Sequence, residues 1–274
     1  PSIDPFSIGW RMGVGEGYKF KFNDWLKTLS QDNRSEYQRL FTEPATWRGY
    51  WDERLRGDES TLFINDEFVT DLWEREPRYD LAWLKKRYNA GKADKFLLFW
   101  GHQKSANLSA SCLSQWYGSS FWQDEVHYVC AEQYMMAKKA ECFGDKEALE
   151  QILSVKDPAQ MKALGRQVRG FDAKVWDEVK FCVVLNASYL KFSQNAKLRE
   201  FLLSTKDKIL VEASPVDKIW GIGMSADDEN AHNPVKWRGQ NLLGFALMRA
   251  RDETAKVYKN VHLRDARELN LDHL

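Results

Sequence analysis

The spacing of apolar and polar positions divides the chain into many helical stretches and a few short apolar runs. Residues 23–41 suit one amphipathic helix opened by Asn23 and Asp24, with Trp25, Leu29 and Leu40 apolar. Residues 45–56 read as a second short helix ending at Gly57, and Thr61-Leu-Phe-Ile as a strand. Residues 80–90 predict a helix closed by Gly91, placed where a left-handed residue ends a helix well. The polar stretch from Asn89 to Asp94 marks the expected boundary between an N-terminal extension, 1–94, packed on a main domain, 95–274.

After that boundary the signals sharpen. Phe96-Leu-Leu-Phe-Trp reads as a buried strand, and residues 130–143 as a helix stopped by Gly144. Asp157 followed by Pro158 is a strong helix start. Asp172 opens a long helix to about Phe192, with Trp176, Val179, Val183 and Leu190 on or near one face. Asn195 opens another, carrying Leu198, Phe201 and Leu202. Lys208-Ile-Leu-Val-Glu predicts a strand, Trp220 to Trp237 a glycine-containing loop, and 240–253 the last helix. Long helices with few strands indicate a helix-rich α+β fold.

Composition narrows the function. Forty basic residues balance forty acidic ones, so the chain lacks the bulk positive charge of a non-specific nucleic-acid binder. A local patch remains compatible with that balance. The cysteines Cys112, Cys130, Cys142 and Cys182 form no CxxC pair and have no histidine at ligand spacing. They read as reduced, mostly packed thiols of a cytoplasmic protein, with no metal and no cofactor expected. No run approaches the ~18 apolar residues of a membrane span, so no membrane partner is expected either. Oligomeric state is not encoded legibly.

Three segments carry candidate chemistry. On a helix with ~100° per residue, Lys139 falls within ~20° of Glu132, and Met135, Met136 and Phe143 share that side. Lys138 and Glu141 take the opposite, wet side. Charges on an apolar stripe need partners, or their pKa values move. A structural ion pair or a snorkelling side chain accounts for this pattern as readily as a pocket does.

The second segment is Val211-Glu-Ala-Ser-Pro-Val-Asp-Lys-Ile-Trp-Gly-Ile-Gly, a strand running into a loop with Asp217, Trp220, Gly221 and Gly223. Gly221, Gly223 and Ala226 match a G-x-G-x-x-A fingerprint, but no helical pattern follows them. Such glycines either form an ordinary turn or let a backbone approach a flat or phosphorylated ligand. In the third, Arg238-Gly-Gln-Asn-Leu-Leu-Gly-Phe-Ala-Leu-Met-Arg, Asn241 is positioned to cap a helix. Gly244 inside that helix costs ~1 kcal/mol against Ala, which points to a packing or ligand reason. A helix N-terminus behind a polar loop also suits a phosphate.

These stretches resemble the NADAR family, which includes the bacterial YbiA-like proteins. The match runs through Ala-Glu-Gln-Tyr-Met-Met-Ala-Lys-Lys-Ala, Leu-Val-Glu-Ala-Ser-Pro-Val-Asp-Lys-Ile-Trp-Gly-Ile-Gly and Asn-Leu-Leu-Gly-Phe-Ala-Leu-Met-Arg-Ala-Arg. Leu164-Gly-Arg-Gln-Val, Lys191-Phe-Ser-Gln-Asn and the looser Leu113-Ser-Gln-Trp also fit, so the resemblance covers roughly residues 96–253. The chain departs from it at Ala131, where Ser or Thr is frequent, and at Ala140, where an aromatic is frequent. Its loop from Gly223 to Asn241 is longer than in the smallest members.

The resemblance implies an N-glycosidase acting on a ribosyl C–N bond, most readily one that removes ADP-ribose from guanine in DNA or RNA, as an antitoxin or repair enzyme. Hydrolysis of phosphoribosylamino intermediates of riboflavin synthesis is the alternative, and a non-catalytic ADP-ribose-binding module a third. The partners implied are the ADP-ribose moiety and an ADP-ribosylated nucleic acid. The family match singles out Glu132, Lys139 and Asp217 as catalytic candidates. It makes Trp220, Gly221, Gly223, Asn241, Gly244, Arg166, Ser114 and Trp116 substrate-binding candidates, with Arg251 a weaker phosphate candidate. In that chemistry Glu132 faces charge developing at the sugar, and Lys139 serves as amine nucleophile or hydrogen-bond donor. Asp217 serves as base or ribose anchor, and Trp220 offers a flat face.

Overall fold

The computed structural model describes residues 14–43, 51, 78–103, 107–123 and 126–259. The chain divides into two compact units. The larger takes residues 73–121 and 127–252, and the other takes residues 1–72, 122–126 and 253–274. The architecture is helix-rich α+β, as the apolar pattern predicts.

In the smaller unit, α1 (Val14–Thr28) and α2 (Gln31–Leu40) replace the single helix expected over 23–41. The break falls at Ser30, whose extended backbone and side-chain bond to the Asn33 N–H start a new helix. Phe22, Trp25, Tyr37, Phe41 and Trp51 pack their rings together, and the Trp51 indole donates to the Phe41 carbonyl at 3.0 Å. Most of the helix expected over 45–56, and the strand Thr61-Leu-Phe-Ile, lie outside the described residues.

The larger unit begins with α3 (Leu81–Asn89), capped by Asp80 and followed by Gly91 at φ 71°. Helix α3 precedes the expected boundary at 94 yet belongs to this unit. Strand β1 (Phe96–Phe99) pairs in parallel with β4 (Ile209–Glu212), with Phe99 opposite Glu212. Between them come a short 3-10 turn (Ala110–Leu113), β2 (Phe121–Gln123), β3 (Val126–Tyr128) and five helices. These are α4 (Ala131–Cys142), α5 (Lys146–Ser154), α6 (Pro158–Arg166), α7 (Ala173–Gln194) and α8 (Ala196–Ser204). Helix α9 (Leu242–Val257) closes the series.

Helix α4 is the hub, packing on α5, α6 and α7. Residues 131–137 and Ala140 are all buried, so the one-sided stripe read from the sequence understates its burial. Gln133 substitutes for a conventional cap. Its Oε1 accepts from the Val129 N–H at 2.8 Å, and its amide donates to the carbonyls of Ile152, Leu153 and Val155 at the end of α5. Gly144 at φ 69° stops α4, and Asp145 then caps α5 while holding the Arg169 guanidinium. Asp157 caps α6 with Pro158 in its first turn, and Asp172 caps α7. Each such cap contributes about 1 kcal/mol.

The sheet is held to α9 by two residues. Gly244 lies against β4 so closely that a Cβ there would sit 2.0 Å from the Leu210 carbonyl oxygen. Asn241, fully buried at φ 56°, sends its side chain to β4 rather than along its own helix. Its Oδ1 accepts from the Glu212 N–H at 3.0 Å and its Nδ2 donates to the Leu210 carbonyl at 2.9 Å. No helix among the described residues is long and apolar enough to cross a membrane.

Candidate active site

A cavity of about 530 Å³ opens where α4, α6, the start of α7 and the loop after β4 meet. Helix α4 contributes Met135, Met136 and Lys139, and α6 contributes Lys162, Gly165 and Arg166. Helix α7 adds Trp176, and the loop adds Val216, Asp217, Lys218, Ile219 and Trp220. The i, i+3, i+4 spacing of Lys162, Gly165 and Arg166 turns one face of α6 to the cavity.

The charged stripe of α4 points here. Lys139 donates from Nζ to the Gly165 carbonyl at 2.7 Å and lies 4.0 Å from the centre of the Phe171 ring. Partial burial holds its ammonium below the usual lysine range. Lys138 and Glu141 pair with each other on the outer side at 2.8 Å.

Glu132, only 2% exposed, sits one turn before Met135 and Met136. Burial pushes its carboxyl up to about 7, against the attraction of Lys162, the polar influence of the Trp116 side chain and the pull of Arg166. One of its oxygens, Oε1, has no hydrogen-bond partner among the described residues. Glu132 is absent from the cavity wall itself, but it feels the charges of three residues that line it.

The loop after β4 is built around Asp217. Its Oδ1 accepts from the N–H groups of Ile219 at 2.9 Å and Trp220 at 2.8 Å, and Oδ2 faces Lys162 at 3.7 Å. This orders Trp220 at the cavity. Gly221 follows because a Cβ there would meet the Glu212 carbonyl oxygen at 2.8 Å. Gly223, at φ 70°, donates to the Asp217 carbonyl at 3.1 Å. No helix follows these glycines, in keeping with the weak reading of the dinucleotide fingerprint.

Of the sequence candidates, Lys139, Asp217, Trp220 and Arg166 line the cavity, and Glu132 and Trp116 are coupled to it. Ser114 lies behind Trp116. Its hydroxyl accepts from the Trp116 N–H at 3.2 Å, and its carbonyl accepts from the buried Lys191 at 2.8 Å. Gly221, Gly223, Asn241 and Gly244 are not on the cavity wall. They pack the loop and α9 against β4. Arg251 is buried and donates to Thr205 Oγ1 and the Lys208 carbonyl, a structural placement.

Lys162 and Trp176 line the cavity and Glu212 is coupled to two of its charges, Asp217 and Lys162, without being singled out by the sequence. Glu212 ends β4, and burial together with the charge of Asp217 pushes its carboxyl up to about 8. Its Oε2 is buried without a hydrogen-bond partner among the described residues. Among the described residues no three His, Cys, Asp or Glu side chains converge in metal-ligand geometry.

The family model that describes the NADAR domain matches residues 98–255. The chain belongs to the NADAR domain family. All the cavity residues, with Glu132 and Glu212, lie within this NADAR domain. The chain is 42% identical over 167 residues to the N-glycosidase R617 of Acanthamoeba polyphaga mimivirus, covering 59% of this chain and 98% of that protein. It is 34% identical over 132 residues to the N-glycosidase YbiA of Escherichia coli K12, covering 48% of this chain and 74% of YbiA. An NMR structure of Escherichia coli YbiA aligns with 59% of this chain and 86% of its own, at 29% identity and a TM-score of 0.49.

Proposed function

We propose that this NADAR protein is an N-glycosidase that removes ADP-ribose from guanine in DNA or RNA. The observation that carries this reading is the charge of the cavity. In a chain of zero net charge, its wall presents Lys139, Lys162, Arg166 and Lys218 against one carboxylate, Asp217. Such a wall suits an anionic ligand such as a pyrophosphate. Trp176 and Trp220 add flat faces for a base or sugar. The volume falls in the range of small-molecule sites, roughly 300–1,000 Å³.

Cleavage of the C1″–N bond develops positive charge at C1″ and negative charge on the departing guanine. Glu132, in its carboxylate form, stabilises the first of these. Burial disfavours the ammonium of Lys139, so its amine acts as the nucleophile: it bonds to C1″ as the C1″–N bond breaks, its proton passes to the departing guanine, and water then releases the ADP-ribose and restores the lysine. Asp217 has one oxygen committed to the loop, so its role is to anchor a ribose hydroxyl through the other. The N-glycosidase names of R617 and YbiA support the reaction class.

Zero net charge favours a second reading, a free phosphoribosylamino metabolite, because it gives little long-range attraction to a phosphate backbone. Calorimetry with ADP-ribose distinguishes the ligands. We expect saturable heat and a raised thermal midpoint, since a ligand that binds only the native state stabilises it. Replacing Trp220 with Ala weakens both. No heat and no shift at millimolar ADP-ribose contradicts the ADP-ribosyl reading and leaves the metabolite.

A further inference from the structure

The end of the Lys139 side chain is held by two neutral groups, a carbonyl and an aromatic ring. Its Nζ donates to the Gly165 carbonyl at 2.7 Å and lies 4.0 Å from the centre of the Phe171 ring. The carboxylates of the adjoining elements are engaged elsewhere. Glu141 pairs with Lys138, Asp145 binds Arg169, and Asp217 faces Lys162. The other charges on the cavity wall, Lys162, Arg166 and Lys218, are cations. Among the described residues no carboxylate forms an ion pair with Lys139.

The local chain places both partners. Gly165 stands in the last turn of α6, where a carbonyl has no acceptor role left inside the helix. A Cβ at Gly165 would lie 2.0 Å from the Met136 Sδ, so its absence lets α6 close on α4 and brings that carbonyl to the lysine. Phe171 lies between α6 and α7 on a stretch tied at both ends. Arg169 is bound through its N–H and guanidinium to Asp145, Gly170 turns the chain at φ 71°, and Asp172 caps α7. The Phe171 ring meets the Phe143 ring in a T-shaped contact, 5.3 Å between centres. Phe143 follows Lys139 by four residues, so Phe171 rests across one face at the end of α4.

Core packing does not account for this ring, since 46% of Phe171 is exposed. A ring face attracts a cation without cancelling its charge. A carboxylate in the same place would fix the lysine in its charged form and repel a phosphorylated ligand, whereas the ring holds the side chain and leaves the cavity positive. We propose that Phe171 is a positioning residue that holds the Lys139 side chain through the face of its ring, keeping the amine on the cavity wall where substrate meets it.

Proton–carbon NMR of protein labelled with carbon-13 at lysine Cε reads the contact directly, with the Lys139 signal assigned by its loss in Lys139→Arg. In wild type the Lys139 Cε protons should be shifted upfield by the ring. That shift should vanish in Phe171→Leu, which keeps an apolar cover, and return in Phe171→Tyr, which keeps the aromatic face. The ring favours the ammonium, so Lys139 should titrate about 0.5 lower in pH in Phe171→Leu than in wild type, and at the wild-type position in Phe171→Tyr. Absence of the upfield shift in wild-type protein overturns the proposal without any variant. A midpoint unchanged or raised in Phe171→Leu overturns it as well.

The activity arm rests on the N-glycosidase reading. A misdirected amine slows the chemical step more than binding, so Phe171→Leu should lower kcat about tenfold with KM within about twofold of wild type. Phe171→Tyr should restore kcat. An unchanged kcat in Phe171→Leu, or no rescue by Phe171→Tyr, contradicts the positioning role. Absence of turnover in wild-type protein, with the ring shift on Lys139 present, overturns the N-glycosidase reading and leaves the hold of Phe171 on Lys139 standing.

Discussion

Asn241→Ala isolates the device that fixes the end of β4. Asn241 is fully buried and occupies a left-handed backbone conformation at φ 56°, which an L side chain without local hydrogen bonding adopts at a cost of about 1–2 kcal/mol. Its side chain satisfies the Glu212 N–H and the Leu210 carbonyl. Truncation leaves both backbone groups without that partner, at about 1–3 kcal/mol each. Allowing for relaxation, the loss should be about 3–5 kcal/mol, a large part of the ~5–15 kcal/mol that stabilises a typical domain. Urea unfolding at neutral pH measures it, read at constant denaturant dependence. Asn241→Gly loses the same hydrogen bonds but tolerates the backbone, so it should be milder than Ala by about 1 kcal/mol. A loss below about 1 kcal/mol in Asn241→Ala, with unchanged denaturant dependence, refutes the clasp. So would equal losses in the Ala and Gly variants refute the backbone part of the reasoning.

Four further outcomes follow from the same geometry. Glu132→Gln and Lys139→Ala should each lower turnover on the order of 10²–10⁴-fold while circular dichroism stays native, and near wild-type turnover in either removes that residue from the mechanism. Turnover should rise with pH through about 7 as the Glu132 carboxylate forms. Because the folded-state pKa of Glu132 is raised, its contribution to stability is full below the unfolded value and is lost as pH rises through about 7. A thermal midpoint that falls over that range in wild type, and falls less in Glu132→Gln, checks the sign. Gly244→Ala gains about 1 kcal/mol of helix propensity but drives a Cβ into the backbone of β4, so it should destabilise by about 1–3 kcal/mol net, measured by thermal unfolding.

The parts of the fold legible in the sequence are those set by neighbours in the chain. Asp157 and Asp172 each cap a helix where their position before an apolar repeat predicts one. On α4, Lys139 lines the cavity, and Lys138 and Glu141 pair on the outer side where the helical spacing puts them. Ser30 escapes because apolar spacing continues across it, so two helices read as one. Helix α5 escapes because nine residues after a glycine stop give a short period to read.

The charge coupling around the cavity depends on packing that sequence spacing does not contain. Glu132, Lys162, Glu212 and Asp217 are brought together by α4, α6, β4 and a loop. In sequence Glu212 is an ordinary charge at a strand end. Lys162 left a trace, since it precedes Arg166 by four residues on one face of a short helix. Asn241 illustrates the opposite error of emphasis. Its place before an apolar helix suggests a cap or an anion site, and the structure directs its side chain to the neighbouring strand.

The most direct test of the proposed activity is product release from two substrates run side by side with the wild-type protein. One is an oligonucleotide carrying ADP-ribose on guanine, and the other a phosphoribosylaminouracil. Free ADP-ribose and restored guanine are expected from the first, with little turnover of the second and a modest dependence on salt, because recognition centres on the cavity rather than on the phosphate backbone. Robust turnover of the phosphoribosylaminouracil with none of the oligonucleotide contradicts it.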